Sequence, residues 1–239
     1  MLLIRFRHFI ICALKKKNIS DQIPEIICKV HRQGITYLSR QALFDLYQAV
    51  AETEKNHLPG LMIEAGCALG GSAVIMAAAK SPGRTLCLYD AFERIPEPGK
   101  KDGLDAHGRF RVIRNGWASG MSGKTYYGYR KDLQADVLTN FSYHGIRPEQ
   151  HHIRLIKGLF SDTLSPDSPV CLAHIDADWY ESTYVCLEKI YPNLVSGGRL
   201  IIDDYYTWSG CRRAVRDYFA SKQNEVRFIR HSRLHIVRK

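Results

Sequence analysis

The feature that most constrains this chain of 239 residues is a repeated alternation of short apolar runs with stretches of helical spacing. Five apolar runs of strand length begin at Leu61, Thr85, Ile153, Val170 and Arg199. Because strands joined through helices pair in parallel, this order predicts a doubly wound α/β sheet. Two further runs, Val226–Arg230 and Leu234–Val237, are joined by a tight polar turn. They predict a closing hairpin and therefore an antiparallel last strand.

The residues before the first strand have a different pattern. Residues 20–58 place apolar side chains at helical spacing, and Gly34 interrupts them, which indicates two helices. We therefore expect an N-terminal helical arm and lid over residues 1–58 and the α/β domain over residues 59–239. Residues 92–129 are rich in Gly, Pro and charge without sustained periodicity, so they predict a long loop over the sheet edge.

The formal net charge of +10 is concentrated at the two ends of the chain. Residues 1–17 and 226–239 hold many Lys and Arg residues and no acid. No nucleic-acid-binding signature accompanies them, so we expect solvated faces and no nucleic-acid partner, with weak contact to a membrane surface as the alternative. The apolar run Phe9–Leu14 is too short for a signal peptide or a membrane span.

The seven cysteines form no Cys-x-x-Cys pair and lie mostly within apolar runs. This usage is typical of buried free thiols in a reducing compartment. We therefore expect a cytoplasmic protein without disulfides.

A glycine-rich turn follows the first apolar run. Its spacing, Gly-x-x-x-Gly-Gly from Gly66 to Gly71, differs from the Gly-x-Gly-x-x-Gly of nicotinamide dinucleotide sites. Glu64 lies on the strand two residues before the first glycine. The pattern favours S-adenosylmethionine as the ligand. We expect its contacts to come from Glu64, Gly66, Gly70, Gly71 and Ser72.

Two single carboxylates follow the next strands. Asp90 ends the second run, where doubly wound folds place an acid that accepts the ribose hydroxyl protons of a nucleoside. Its alternative role is that of a helix cap. Asp162 follows the third run and could accept from the adenine amino group, or equally cap the turn that follows it.

The strongest constellation comes at the ends of the fourth and fifth runs. Asp176 and Asp178 end one run, with His174 before them, and Asp203 and Asp204 end the next. Because residues two apart in a strand share a face, we expect the four carboxylates to converge. Such a cluster normally holds protons, cations or a basic side chain, and oxygen-only ligands favour Mg²⁺ or a similar hard cation. The alternatives are helix caps for some of these acids and a hydrogen-bonded core role for the histidine.

These segments together resemble the macrocin O-methyltransferase (TylF) family, whose members methylate sugar hydroxyls on antibiotics and related glycosides. The resemblance covers residues 35–222 and is most specific over Asp176–Thr183, Ile202–Tyr205 and Gly210–Val215. It implies a Rossmann-like methyltransferase fold, S-adenosylmethionine as methyl donor and a sugar or glycosylated acceptor. The chain departs from the family at Ala177 and Trp179, beside the acids.

The resemblance also implies roles for the acids. Mg²⁺ would be held by Asp176, Asp203 and Asp204, with Asp178 as the general base; His174 is a second candidate for direct participation. Tyr205, Tyr206 and Trp208 are candidate walls of the pocket. We further expect a homodimer.

Two other functions remain open on the sequence alone. Asp-x-Asp at a strand end also describes metal-dependent glycosyltransferases, but that interpretation has no use for Gly70, Gly71, Asp203 or Asp204. A non-catalytic module that binds S-adenosylmethionine is the other alternative. The presence of all four aspartates speaks against it.

Overall fold

The protein is built around one sheet, seen in a computed structural model that describes residues 24–239. Its strands are β1 (Leu61–Ala65), β2 (Leu86–Asp90), β3 (Ile153–Lys157), β4 (Val170–Ile175), β5 (Leu194–Ile202), β6 (Val226–Arg230) and β7 (Leu234–Arg238). They lie in the order β3-β2-β1-β4-β5-β7-β6. Strands β1 to β5 pair in parallel, and β7 is antiparallel to both β5 and β6. The predicted doubly wound, Rossmann-like sheet with an antiparallel last strand is confirmed.

Helices cover both faces of this sheet. They are α1 (Glu25–Gln33), α2 (Arg40–Lys55), α3 (Gly71–Ala79), α4 (Leu104–Arg114), α5 (Leu133–Tyr143), α6 (Phe160–Thr163), α7 (Tyr180–Ile190) and α8 (Ser209–Phe219). Helices α1, α2, α3 and α5 share one apolar core with the sheet, and α7 and α8 share the other. Burial on both faces explains why every residue of β1, β2 and β4 is buried and why these strands are nearly continuous apolar runs.

The two helices expected before β1 are present within the described residues. Gly34 ends α1 in the left-handed conformation, and the Ser39 side chain caps α2 by accepting from the Ala42 amide. The loop between them rests on the start of α3, where a side chain at Gly71 would collide with Ile35 and Thr36. The division at residue 58 stays a prediction, and the basic residues 1–17 with the apolar run Phe9–Leu14 lie outside the described residues.

Two expectations from the sequence are corrected. Residues 92–129 contain the helix α4, whose buried Ala106, Phe110 and Ile113 follow helical spacing between charged residues that hid the pattern. Strand β5 also begins earlier than its apolar run, because Leu194 already pairs with Val170 of β4. The glycines at 197 and 198 accommodate a shift of register between the two strands, where a turn was expected.

The expectation of buried free thiols holds for most cysteines of the described residues. The six cysteines within them are free, and five of these are buried. Across residues 24–239, no helix combines the length and the apolar composition that crossing a bilayer requires.

An ion pair ties the end of α2 to the loop before β2. Arg84 Nε lies 2.6 Å from Glu54 Oε1, and the Ser81 hydroxyl donates to Glu54 Oε2 at 2.7 Å. Burial alone would raise the pKa of Glu54, but the bonds from Arg84 and Ser81 outweigh it and lower the pKa from 4.5 to about 2. A carboxylate with a lowered pKa stabilises the fold above its unfolded pKa and loses that effect as pH falls.

We expect Glu54→Gln to lower the free energy of unfolding by about 1.5 kcal/mol at pH 7, because the amide loses the charged hydrogen bonds to Arg84 at a place where only 14% of the Arg84 side chain and 17% of the Glu54 side chain are exposed. The difference from the native protein should persist down to the ordinary pKa of 4.5 and shrink as pH falls towards about 2. Urea unfolding between pH 2.5 and 7 measures it, with the exposed Glu149→Gln as control. A difference that does not change with pH would contradict the assignment.

Candidate active site

Four carboxylates meet where β4 and β5 end. Asp176 and Asp178 lie in the loop between β4 and α7, and Asp203 and Asp204 open a short 3₁₀ turn after β5. All four line one cavity, and single oxygens of Asp176, Asp178 and Asp204 lie within 4.8 Å of one another. The expected convergence is present, but its geometric reason was wrong. Asp178 lies beyond the strand with a φ of 54°, so a strained loop conformation brings it to Asp176.

The cluster holds more negative charge than its surroundings neutralise. Asp176 and Asp178 border the cavity, yet protein surrounds them on their other sides, and burial together with neighbouring carboxylates raises both pKa values well above the ordinary value. Burial and the charge of Asp203 raise the pKa of Asp204 to about 7. Carboxyl groups with raised pKa values bind protons, or bind a metal cation that supplies positive charge in their place. The three acids therefore form a candidate cation site.

Asp203 differs from its neighbours because two cationic groups face it. Arg233 Nε donates to Asp203 Oδ1 at 2.6 Å, and His174 Nε2 lies 3.5 Å from the same oxygen. Burial alone would raise the pKa of Asp203, but His174 and Arg233 hold it below the ordinary value. Asp203 is thus the carboxylate of the cluster that stays ionised without a bound cation.

His174 lies behind the acids and does not line their cavity. It is fully buried on β4, and its Nδ1 lies 2.9 Å from Oε1 of Glu64, which is fully buried on β1. Burial alone would lower the pKa of His174, but Asp203 and Glu64 raise it to about 9. Glu64 lines neither of the two cavities at this sheet edge. The structure places both residues as a buried pair that supports Asp203.

The neighbouring cavity lies over the carboxyl ends of β1, β2, β3 and β4. Its lining includes Gly66, Asp90, Glu93, residues 95–97, residues 158–161 and Asp176. Asp90 accepts from the amides of Cys67, Ala68 and Phe92. A carboxylate accepts about four hydrogen bonds, so these donors leave little more than one acceptor direction for a ligand. We refer to this space as the first cavity and to the one beside the acids as the second cavity.

The glycines of the turn after β1 have different surroundings. Gly66 lines both cavities at a φ of 87°, and a side chain there would strike the Asp176 carbonyl. Gly70 packs under Val137, and Gly71 packs under the loop between α1 and α2. Neither of these two lines the cavities, and Ser72 is buried within α3. Close packing therefore accounts for Gly70 and Gly71 without a ligand.

Asp162 is exposed and accepts from the Ser161 hydroxyl. Its side chain lines neither cavity, whereas Leu159, Phe160 and Ser161 line the first one. The backbone and side chains just before Asp162 are therefore nearer to a ligand in the first cavity than its carboxylate is.

Aromatic side chains that the sequence did not single out form much of the second cavity. Tyr37 comes from the loop after α1, Tyr126 and Tyr127 from the segment after α4, and Trp179 from the loop after β4. Of the three aromatic residues expected as walls, Trp208 alone lines it. No local motif marks these residues, because distant segments bring them together.

Asp178 is oriented by Trp208. The indole Nε1 donates to Asp178 Oδ1 at 3.0 Å, and the Asp178 amide donates to Asp204 Oδ2 at 3.2 Å. The Trp208 ring meets Trp179 edge-on, with 5.4 Å between ring centroids. One carboxylate oxygen of Asp178 is thus fixed, and the group is held at the cavity wall.

This sheet order, with clefts at the carboxyl strand ends, is the fold of S-adenosylmethionine-dependent methyltransferases. The structure of the O-methyltransferase NovP superposes with a TM-score of 0.70 at 26% identity, over 86% of this chain and 81% of that chain. An O-methyltransferase from Bacillus cereus in complex with SAH shares the fold at a TM-score of 0.54 and 13% identity, over 95% of this chain and 94% of that chain.

The family model for macrocin-O-methyltransferase (TylF) matches residues 8–230, and the chain belongs to this family of O-methyltransferases. A demethyldecarbamoylnovobiocin O-methyltransferase from Streptomyces niveus is 29% identical over 77% of this chain and 68% of its own length. A tetracenomycin-C rhamnosyl 4'-O-methyltransferase from Streptomyces olivaceus is 32% identical over 77% of this chain and 67% of its own length. The glycosyltransferase alternative is therefore wrong.

We expect Glu64→Ala to lower the free energy of unfolding by about 3 kcal/mol, because it leaves His174 buried without its partner. Urea unfolding at pH 7 measures the loss, and Glu149→Ala, an exposed change, should have little effect. Equal effects of the two substitutions would show that the pair of Glu64 and His174 does not support the fold.

Proposed function

We propose that this protein transfers a methyl group from S-adenosylmethionine to a hydroxyl of a sugar or glycosylated small molecule, with a divalent cation such as Mg²⁺. The carboxylate oxygens of Asp176, Asp178 and Asp204 carry the proposal. They lie where the two cavities meet, since Asp176 and Asp178 line both. A donor in one cavity and an acceptor in the other would therefore react beside these acids.

The first cavity suits the donor. Gly66 leaves room for a close approach to the backbone, and Asp90 presents a carboxylate at the end of β2. Residues 158–161 supply the wall beyond β3. We infer that the nucleoside lies between these two strand ends, with its methyl group directed towards Asp178.

The second cavity suits a sugar acceptor. Tyr37, Tyr126 and Trp208 offer aromatic faces against which the C–H face of a pyranose packs, while the acids accept from its hydroxyls. The relatives from Streptomyces niveus and Streptomyces olivaceus are O-methyltransferases, and the second acts on a rhamnosyl compound. Both observations favour a glycosidic acceptor, of the kind found in antibiotic biosynthesis.

The acids also fit the cation. Hard divalent cations prefer carboxylate oxygens, and Asp176, Asp203 and Asp204 would hold the ion. Asp203 suits this role because Arg233 and His174 keep it ionised. When bound, the ion would lower the pKa of an acceptor hydroxyl. Asp178 lies close enough to Asp176 and Asp204 to belong to the ligand set as well, and substitution distinguishes the two arrangements.

Asp178 suits the role of general base. Trp208 engages one of its oxygens, and the other is left to receive the hydroxyl proton. Its raised pKa favours retaining that proton once the hydroxyl has lost it. Trp179 and Trp208 exclude water from this wall of the cavity, which strengthens the interactions within it.

S-adenosylmethionine at roughly 100 times its Kd should stabilise the protein by about 2.7 kcal/mol, seen as a higher Tm. Methyl transfer to glycosides, followed as S-adenosylhomocysteine formed, should stop with a chelator and return with excess Mg²⁺. Cofactor binding without turnover across a panel of glycosides and aglycones would contradict the proposal. Turnover that resists the chelator would remove the cation from it.

Asp178→Asn should lower turnover by roughly 10²–10⁴-fold, because the amide cannot take a proton. It should leave the affinities for S-adenosylmethionine and Mn²⁺ unchanged, as measured by calorimetry and by electron paramagnetic resonance. Asp203→Asn should weaken Mn²⁺ binding. The control is Asp132→Asn, which keeps a helix cap at a residue that lines neither cavity. Equal loss of Mn²⁺ affinity in both site variants would place Asp178 among the ligands.

A further inference from the structure

Arg109 places a positive charge inside the second cavity. It lies on the inner face of α4, between the buried Ala106 and Ile113, and it lines the cavity with the acids. Across the described residues 24–239, no carboxylate lies within 4.0 Å of its guanidinium. The guanidinium carbon lies 5.6 Å from the ring centroid of Tyr126. The site thus holds an arginine that forms no ion pair at contact distance with a described residue, although its charge acts at longer range on Asp178.

The buried groups behind the cavity do not need the charge of Arg109. Glu64 and His174 lie 2.9 Å apart and pair with each other. Arg233 neutralises Asp203 at 2.6 Å. Both pairs form without Arg109.

The other acids of the cavity have partners closer than Arg109. Asp90, which also lines this cavity, accepts from the Cys67, Ala68 and Phe92 amides, and Trp208 donates to Asp178. A phosphate or carboxylate group on the acceptor would give the Arg109 guanidinium charge-assisted hydrogen bonds, which are stronger than neutral ones.

We propose that the acceptor is an anionic sugar and that Arg109 binds its phosphate or carboxylate group. This inference rests on the proposed function and narrows its substrate class. A guanidinium presents a planar fork of donors that matches both groups, and the Tyr126 ring lies within cation–π distance of it. Arg109 would thereby select the acceptor and orient its hydroxyl towards Asp178.

The surrounding segment favours the same class of substrate. Residues 92–131 hold nine Lys and Arg residues against four Asp and Glu residues. A basic segment over the cavity attracts anionic substrates and raises their local concentration. The exposed Arg111 and Arg114 of α4 contribute to this field without lining the cavity.

Calorimetry on the protein saturated with S-adenosylhomocysteine and Mg²⁺ tests the inference with matched sugars. The probes are glucose, glucose 1-phosphate, UDP-glucose and glucuronate. At least one anionic probe should bind at least about 10-fold more tightly than glucose, and Arg109→Gln should weaken its binding by roughly 10- to 100-fold. The affinity for glucose should not change. Arg109→Lys should keep part of the preference, and Arg111→Gln, an exposed change on the same helix, should keep all of it.

The arms of the experiment separate the possible sources of the anion. Preference for glucose 1-phosphate or UDP-glucose indicates a phosphate, and preference for glucuronate indicates a carboxylate. Equal affinity for glucose and every anionic probe would overturn the inference, as would equal weakening of all probes by Arg109→Gln in a protein of unchanged Tm. A third outcome separates the two proposals. If anion binding depends on Arg109 but neither these sugars nor the glycoside panel yield S-adenosylhomocysteine from S-adenosylmethionine, the anion site stands and the proposed function fails.

Discussion

Repulsion among four carboxylates at the ends of β4 and β5 is the constraint around which the rest of the site is arranged. Part of it is relieved by a buried chain of contacts that runs from Glu64 through His174 and Asp203 to Arg233. These residues come from β1, β4, the turn after β5 and the turn between β6 and β7. The antiparallel hairpin therefore has a chemical role, because it brings a cation to the first acid after β5. The other acids keep raised pKa values and so remain ready for a cation.

The second layer of the site comes from segments outside the repeating strand and helix order. The loop after α1 contributes Tyr37, and the segment between β2 and β3 contributes Arg109 and Tyr126. Gly71 permits the first of these contacts, because any side chain there would push the loop away from α3. The acids would supply the reaction common to the family, and these additions would choose the acceptor.

The sequence predicted the sheet well because its signals are local. Apolar runs of strand length and the closing hairpin each depend on neighbours in the chain, and a strand was found at each run, although β5 begins before its run. Helix α4 was missed because its buried face is only Ala106, Phe110 and Ile113 among charged residues. For the glycines after β1, the sequence did not reveal the packing around them. A ligand was expected to explain Gly70 and Gly71, whereas packing against Val137 and the loop after α1 accounts for both.

The sequence by itself determined the doubly wound sheet and the meeting of four aspartates at its edge, because parallel strands place their carboxyl ends together whatever surrounds them. Only the tertiary structure decided how those aspartates differ. Asp203 is ionised beside Arg233, and Asp178 is turned into the cavity by a left-handed backbone and held by Trp208. The pKa of each carboxyl group and the direction of its side chain depend on partners that are distant in the chain. The spacing of residues along the chain does not reveal those partners.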